Sequence, residues 1–358
     1  MKKPLSFVEI SRKNLLDNYH YLSKKSGFPI APVLKGNAYG HGLIEVARIL
    51  EKENPPFFCL DSFYESNLLF EAGFKTPILI MGYVDPSDLK GKSLPFSYAV
   101  WDIDQIKQIL KYQSGAKFHI FVDTGMHREG VRMEDLPSFL SSIKAYSDKI
   151  EGLMSHFGVA GDKKYQPTGE QIENFQKAQD VFSKFGISPK WVHINATAGN
   201  LHLRKIGNLG RAGIGIYGFD PEEKDKSLKP VLKLKSTITQ IKKVKKGEEL
   251  GYSFTFKAKK DMRIGVIPLG YSNALSRSLS NRGIVKVEGH FCPIVGRVNM
   301  GMTTIDLANT SAKLGDEVLV YSDAPKDKNS VSNVAKMCGT IPYEIVTAIS
   351  ASIPRIVL

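Results

Sequence analysis

Val33-Leu34-Lys35-Gly36-Asn37-Ala38-Tyr39-Gly40-His41-Gly42 sets one lysine at the end of an apolar run, residues 29–34, ahead of a glycine-punctuated turn and a helix-like stretch that starts at Leu43. A strand's C-terminal end, beside a turn that lets backbone approach a ligand, is where the loops of an α/β protein carry chemistry. A lysine there can form a Schiff base with an aldehyde. An isolated Lys-Gly-Asn would read as a surface lysine before a turn.

Outward from this unit the chain repeats the same texture. Short apolar runs at 30–34, 57–60, 77–81, 97–101, 118–122, 152–155, 191–194 and 212–217 alternate with amphipathic stretches, clearest at 104–112 and 170–185, the second ending at Gly186 as a C-cap. Such alternation suits an open doubly wound sheet or a barrel, and eight strands favour an α/β fold of the (β/α)8 TIM type. After Asp220-Pro221 the texture changes. A charged stretch, 222–229, reads as a linker, and β-rich runs at 236–244, 262–269, 283–287, 292–298, 303–307 and 317–321 are set off by glycine turns. The expected division is a barrel over 1–224 and a mostly β C-terminal domain over 225–358.

Composition narrows the class. The 358 residues are 42% hydrophobic and 24% charged, ordinary for a soluble globular protein and long enough for two domains. Cys59, Cys292 and Cys338 are scattered, without metal-ligand spacing, as in a reducing cytosol. The start, Met-Lys-Lys-Pro-Leu-Ser-Phe-Val-Glu-Ile, lacks the apolar core of a signal peptide, and no apolar run reaches membrane-spanning length. A cytoplasmic protein is expected. The net charge of +13 is spread along the chain, and its densest run, 229–246, alternates apolar and basic residues like a half-buried strand. It reads as a solvated sheet face that draws in anionic small molecules, not as a nucleic-acid site.

The ten-residue run at Lys35 resembles the pyridoxal-phosphate lysine motif of the alanine racemase family. Further segments resemble that family in the expected order, from Val8-Glu9-Ile10 to Pro354-Arg355. The resemblance implies that Lys35 carries the cofactor and that Tyr39 lies near its phosphate. Asp123-Thr124-Gly125-Met126-His127-Arg128 is similar to a loop whose arginine meets the cofactor's phenolic oxygen and the substrate carboxylate, which makes Arg128 substrate-binding. Ser155-His156-Phe157 is similar to a segment whose histidine stacks on the pyridine ring. His193-Ile194-Asn195-Ala196-Thr197-Ala198 places Thr197 where the family has a phosphate-binding serine, with Ala196 in place of an asparagine. Gly210-Arg211-Ala212-Gly213-Ile214-Gly215-Ile216-Tyr217 matches a run whose arginine bonds the pyridine nitrogen. By that match Gly213, Ile214 and Tyr217 serve the phosphate. An arginine does not readily give its proton away, so Arg211 implies an unprotonated ring nitrogen, a weak electron sink, and racemisation over transamination.

In the C-terminal part, Leu269-Gly270-Tyr271-Ser272 and Gly296-Arg297-Val298-Asn299-Met300 are similar to family segments. Tyr271 is implied as a second acid/base reaching the other subunit's site, and Met300 as a substrate-carboxylate contact. Pro342-Tyr343-Glu344 places Tyr343 at the phosphate. Three departures gather at the substrate end: Phe121 where many members carry a carbamylated lysine, His127 for a glycine, and Gly301 for an aspartate. The resemblance thus implies a homodimer with shared active sites that interconverts L- and D-alanine by two bases, Lys35 and Tyr271, with pyridoxal 5'-phosphate, and that supplies D-alanine for cell-wall peptide. The alternatives are a racemase of serine, lysine or a broader amino-acid range, and a pyridoxal-phosphate carrier without turnover.

Overall fold

The computed structural model of the chain describes residues 4–203 and 205–358. The chain folds as two compact units. One holds Leu16–Lys35 and Val46–Leu228; the other holds the N-terminal stretch to Leu15, Gly36–Glu45 and Lys229–Leu358. Strand β1 (Phe7–Ile10) is spent in the second of these.

The first unit is a ring of parallel strands: β2 (Ile30–Pro32), β3 (Phe58–Leu60), β4 (Ile78–Ile80), β5 (Phe96–Val100), β6 (Lys117–Asp123), β7 (Ile150–Met154), β8 (Trp191–His193) and β9 (Gly210–Ala212). Strands β3 to β8 pair in chain order, and β9 pairs with β2. A bridge between Val33 and Cys59 joins β2 to β3, and Arg211 N donates to Asn195 O at 2.9 Å where β9 meets the end of β8. This is the (β/α)8 barrel. Strands β2, β3 and β4 are buried at every residue, which is why they read as unbroken apolar runs. Around them lie helices with one apolar face. Ile103–Tyr112 is opened by the Asp102 side chain on Asp104 N and buries Ile106 and Ile109. Gln166–Lys184 buries Phe175, Ala178 and Phe182, and Gly186 follows it at φ 69°.

One strand lies elsewhere than its apolar run suggests. Strand β9 covers Gly210–Ala212, and the expected 212–217 is mostly tight turn. Gly218, at φ 100°, and Gly215, where a Cβ would overlap the Thr197 side chain, allow it: Ile216 N donates to Gly213 O at 3.0 Å and Gly218 N to Gly215 O at 3.0 Å.

The second unit contains β10 (Leu232–Thr237), β11 (Gln240–Val244), β12 (Met262–Ile267), β13 (Ile284–Val287), β14 (His290–Pro293), β15 (Thr303–Asp306), β16 (Glu317–Tyr321) and β17 (Arg355–Val357). One sheet runs β14-β13-β16-β10-β1-β17, and another β11-β12-β15. Burial alternates along β10, so its lysines line a polar face; Lys235 is paired with Glu9 at 2.8 Å and Glu317 at 2.9 Å. The expected single strand 236–244 is in fact cut at Ile238-Thr239. Ile238 N goes to Asp316 O and Thr239 N to Val266 O, so the chain changes sheets at that corner.

Candidate active site

Lys35 follows β2, whose end is held from both sides: Val33 N donates to Ala212 O at 2.8 Å and Leu34 N to Cys59 O at 2.9 Å. The lysine amine is thereby delivered from a rigid strand end. It donates to Asp61 Oδ2 at 2.7 Å.

Arg211 sits on β9 and is only 2% exposed. Its NH2 donates to Ser155 O at 2.6 Å, to Ile194 O at 3.2 Å and to His156 Nδ1 at 3.3 Å. Its NH1 donates to His193 O at 3.2 Å and, more closely, to His193 Nδ1. Carbonyls and imidazoles, not carboxylates, receive this guanidinium. Burial, with Arg128 adding to it, lowers Arg211 to about 10, still a cation at neutral pH. A cation held by neutral groups keeps its field for a ligand.

Those contacts dictate the ring protons beyond it. His193 Nδ1 accepts from Arg211, so its proton lies on Nε2 and goes to His119 Nδ1 at 2.8 Å. The His119 proton then lies on Nε2, 3.8 Å from Glu151. Glu151 is lowered to about 2, chiefly by His119, and accepts from Ser97 Oγ at 2.8 Å. Burial, reinforced by Arg211, keeps His193 well below the usual imidazole range. His156 is lowered to about 3 by burial first and then by Arg211, Arg128 and Lys35. It is a neutral ring at physiological pH, set beside the Arg211 guanidinium by their 3.3 Å contact.

The Arg128 loop is organised by Asp123 at the end of β6. Its Oδ1 accepts from Gly125 N at 2.9 Å, Met126 N at 2.9 Å and His127 N at 3.1 Å. His127 takes φ 56°. Arg128 is about half exposed, with Nε 3.4 Å from Glu129. Phe121 lies in an apolar cluster with Ala99 and Met154, its ring edge-on to Trp101 at 6.2 Å. A cavity of about 250 Å³ beside the loop is lined by Asp123, Glu134 and Glu170 together with His127 and Arg132. Three carboxylates make it poor housing for a small anion.

Thr197 opens the short helix Thr197–His202, and its Oγ1 accepts from Gly215 N at 3.1 Å, which leaves the hydroxyl proton to donate. Gly213 and Ile214 lie in the adjoining turn, buried. Tyr217 is fully buried and its hydroxyl donates to Val33 O at 3.1 Å, bracing the strand that carries Lys35.

In the second unit, Gly36 to Gly40 form one turn of left-handed helix. Gly36, Asn37 and Ala38 have φ/ψ of 62/47, 54/48 and 52/51°, Tyr39 has φ 52°, and Gly40 N donates to Gly36 O at 2.9 Å. Arg355 clamps the turn, donating from Nε and NH2 to Gly40 O at 3.2 and 2.7 Å. The Tyr39 ring faces Tyr343 with centroids 6.0 Å apart. Tyr271 and Met300 form another pair in this unit. Tyr271 N donates to Asn299 O at 3.0 Å, and Ser272 N to Met300 O at 3.0 Å. Both side chains stay in solvent, 47% and 63% exposed. Sequence reasoning missed Asp61, Glu151 and the hydrogen-bonding roles of His119 and His193. A charged or imidazole side chain within or just after a buried strand was the available signal.

The model of the alanine racemase N-terminal domain matches residues 10–221, and that of the alanine racemase C-terminal domain matches 231–357. The chain belongs to the alanine racemase family. A protein named alanine racemase from Sorangium cellulosum is 33% identical over 340 residues, 90% of each chain. Another from Syntrophobacter fumaroxidans is 34% identical over 357 residues, 96% of this chain and 95% of that one. The crystal structure of alanine racemase from Bacillus anthracis with bound L-Ala-P is similar with a TM-score of 0.91 at 30% identity, covering 100% of this chain and 96% of that chain. Alanine racemase membership thus extends over the barrel and the β-rich part alike.

Proposed function

We propose that the protein is a pyridoxal-phosphate-dependent racemase that interconverts L- and D-alanine. The observation that carries this reading is Arg211: a buried cation that, among the described residues, is met by carbonyls and imidazoles and not by a carboxylate, with a neutral His156 beside it. The donor set fits the cofactor. Thr197 with its available hydroxyl proton, the turn at Gly213 and Ile214, and Tyr39, Tyr217 and Tyr343 would serve the phosphate, Tyr217 by bracing the strand of Lys35. His156 would lie against the ring and Arg211 at its nitrogen.

When bound, pyridoxal phosphate supplies an aldehyde that amines add to and a conjugated ring that acidifies the α-proton. The remaining tasks belong to the chain. Lys35 would hold the cofactor through its aldehyde, and would hold or return a proton at Nζ on one face of the substrate. Tyr271 does the same at its hydroxyl on the opposite face, contributed by a second copy of the chain. Arg211 keeps its proton and would leave the ring nitrogen an acceptor. Arg128 and the Met300 backbone orient the substrate carboxylate. Exposed Tyr252, Phe254, Met300 and Met302 alongside Tyr271 support a homodimer that covers them. In this reading the functional division is a barrel over 1–224 and a β-rich domain over 225–358, and the enzyme works in the cytoplasm, feeding D-alanine to cell-wall peptide synthesis. No described helix is long and apolar enough to cross a membrane.

The test has two parts. Borohydride treatment of protein incubated with pyridoxal phosphate should fix the cofactor on Lys35, and a panel of L-amino acids should give D-alanine fastest. Label on another lysine sinks the site. Faster D-serine or D-lysine would make the substrate range broader. Label without any D-product would leave a carrier.

A further inference from the structure

Asp61 stands where β3 ends, at the same level of the barrel as Lys35. Its backbone has little freedom. Met81 N donates to Leu60 O at 2.7 Å, and a methyl group at Gly82 would overlap the Asp61 carbonyl oxygen. Ser62, the next residue, caps the helix Phe63–Glu71 by accepting from Glu65 N at 3.2 Å. A strand end, a close glycine and a helix cap therefore fix where the Asp61 carboxylate originates. Its Oδ2 lies 2.7 Å from Lys35 Nζ, the length of a charge-assisted hydrogen bond. The two side chains are 45% and 41% exposed, so ligands can reach the amine while the carboxylate holds it.

We propose that Asp61 is a positioning residue for Lys35, pairing with its ε-ammonium at the barrel mouth whenever the amine is not bonded to cofactor. The inference rests on the reading of Lys35 as the amine that takes the aldehyde. Its chemical consequence is definite. An ammonium has no lone pair, so Lys35 must leave Asp61 and give up one proton to solvent before its nitrogen bonds the carbonyl carbon. The carbonyl oxygen then departs as water with the two protons that the nitrogen gives up as the carbon–nitrogen double bond forms. Asp61 thus opposes capture of the aldehyde. The same contact receives the cation that forms when a released Lys35 accepts a substrate proton, and it keeps that proton on one face.

The experiment measures capture of the aldehyde by apo-protein, followed by absorbance, with pyridoxal phosphate and separately with pyridoxal, which lacks the phosphate. In Asp61→Asn the capture rate should rise roughly two- to five-fold with both probes, the range that a part-exposed ion pair supports. Asp61→Glu, which keeps the charge, should restore slow capture. Acceleration with pyridoxal phosphate alone would show repulsion of the phosphate and overturn the proposal. So would an unchanged or slower rate in Asp61→Asn, or a Glu variant as fast as the Asn variant. If wild-type protein captures neither probe at Lys35, the reading of Lys35 fails; if it does capture them and Asp61→Asn is silent, only this inference fails.

Discussion

Lowering the pH from about 7.5 to about 5 should weaken the apo fold through its buried histidines. His41, in the second unit, is lowered to about 4 and His156, in the barrel, to about 3, in both cases by burial first. His119 and His193 are displaced downward as well, again chiefly by burial. Above 6.5, the ordinary imidazole value, folded and unfolded chains both carry these rings neutral. Below it the unfolded chain binds protons that the folded chain refuses. Stability is therefore full above 6.5 and declines as the pH falls toward about 4 for His41 and about 3 for His156. At pH 5 each ring costs about 2 kcal/mol, a value that hardly changes if the folded-state value is lower still. His41 and His156 together remove about 4 kcal/mol, against a total on the order of 5–15 kcal/mol for a typical domain. His119 and His193 act in the same direction. Glu151, held at about 2, stays ionised throughout this window and does not offset them. Urea unfolding followed by circular dichroism at intervals across the window should show a midpoint that is steady above 6.5 and then falls. His156→Asn should remove its share of the slope. A midpoint that stays level down to pH about 5 would refute the reasoning.

Phe121 and its apolar neighbours offer no amine for a carbamate, so activity should be the same in bicarbonate-free and bicarbonate-supplemented buffer; bicarbonate-dependent recovery would point to another lysine. Arg211→Glu should trade racemisation for transamination products, and a variant with full racemase activity and no such products would remove Arg211 from the ring nitrogen. Lys35→Ala and Tyr271→Phe should each be almost inactive, yet a mixed dimer should recover up to about half of wild-type activity, because one of its two sites lacks neither base. No recovery despite subunit exchange contradicts the shared site. Gly40→Ala should destabilise by about 1–3 kcal/mol, since Gly40 has φ 77° and an added methyl overlaps the Val346 carbonyl oxygen; an unchanged thermal midpoint would show that the turn gives way easily.

The barrel was legible because strands buried on both faces leave unbroken apolar runs between helix-period segments. Runs such as 57–60 and 77–81 bracket the observed Phe58–Leu60 and Ile78–Ile80. The segment 212–217 misled because it is as apolar as a strand, and only its glycines tell of the turn. The pairing of Phe7–Ile10 with Leu232–Thr237 and Arg355–Val357 was not legible, because it joins residues more than two hundred positions apart and leaves no local pattern. The Lys35 and Arg211 motifs stood out as long runs. Asp61 did not: one carboxylate after Cys59-Leu60 has no partner in its own neighbourhood of sequence, and its meaning comes from a contact with Lys35, 26 residues earlier. Glu151 was hidden for the same reason, since its neighbours His119 and Ser97 arrive from other strands.

The left-handed turn at Gly36 to Gly40 has the backbone hand that D-amino acids prefer. Ala38 and Tyr39 as L-residues together cost on the order of 2–4 kcal/mol there, while glycine and asparagine are tolerated more readily. A D-alanine introduced at position 38 by semisynthesis would relieve its part of that tension. The natural chain instead leaves the segment that follows Lys35 spring-loaded against the Arg355 clamp. Loosening that clamp would release the turn ahead of the barrel strands, so amide hydrogen exchange in an Arg355→Met protein should quicken first at Gly40, His41 and Gly42, whose protons bond back into the turn.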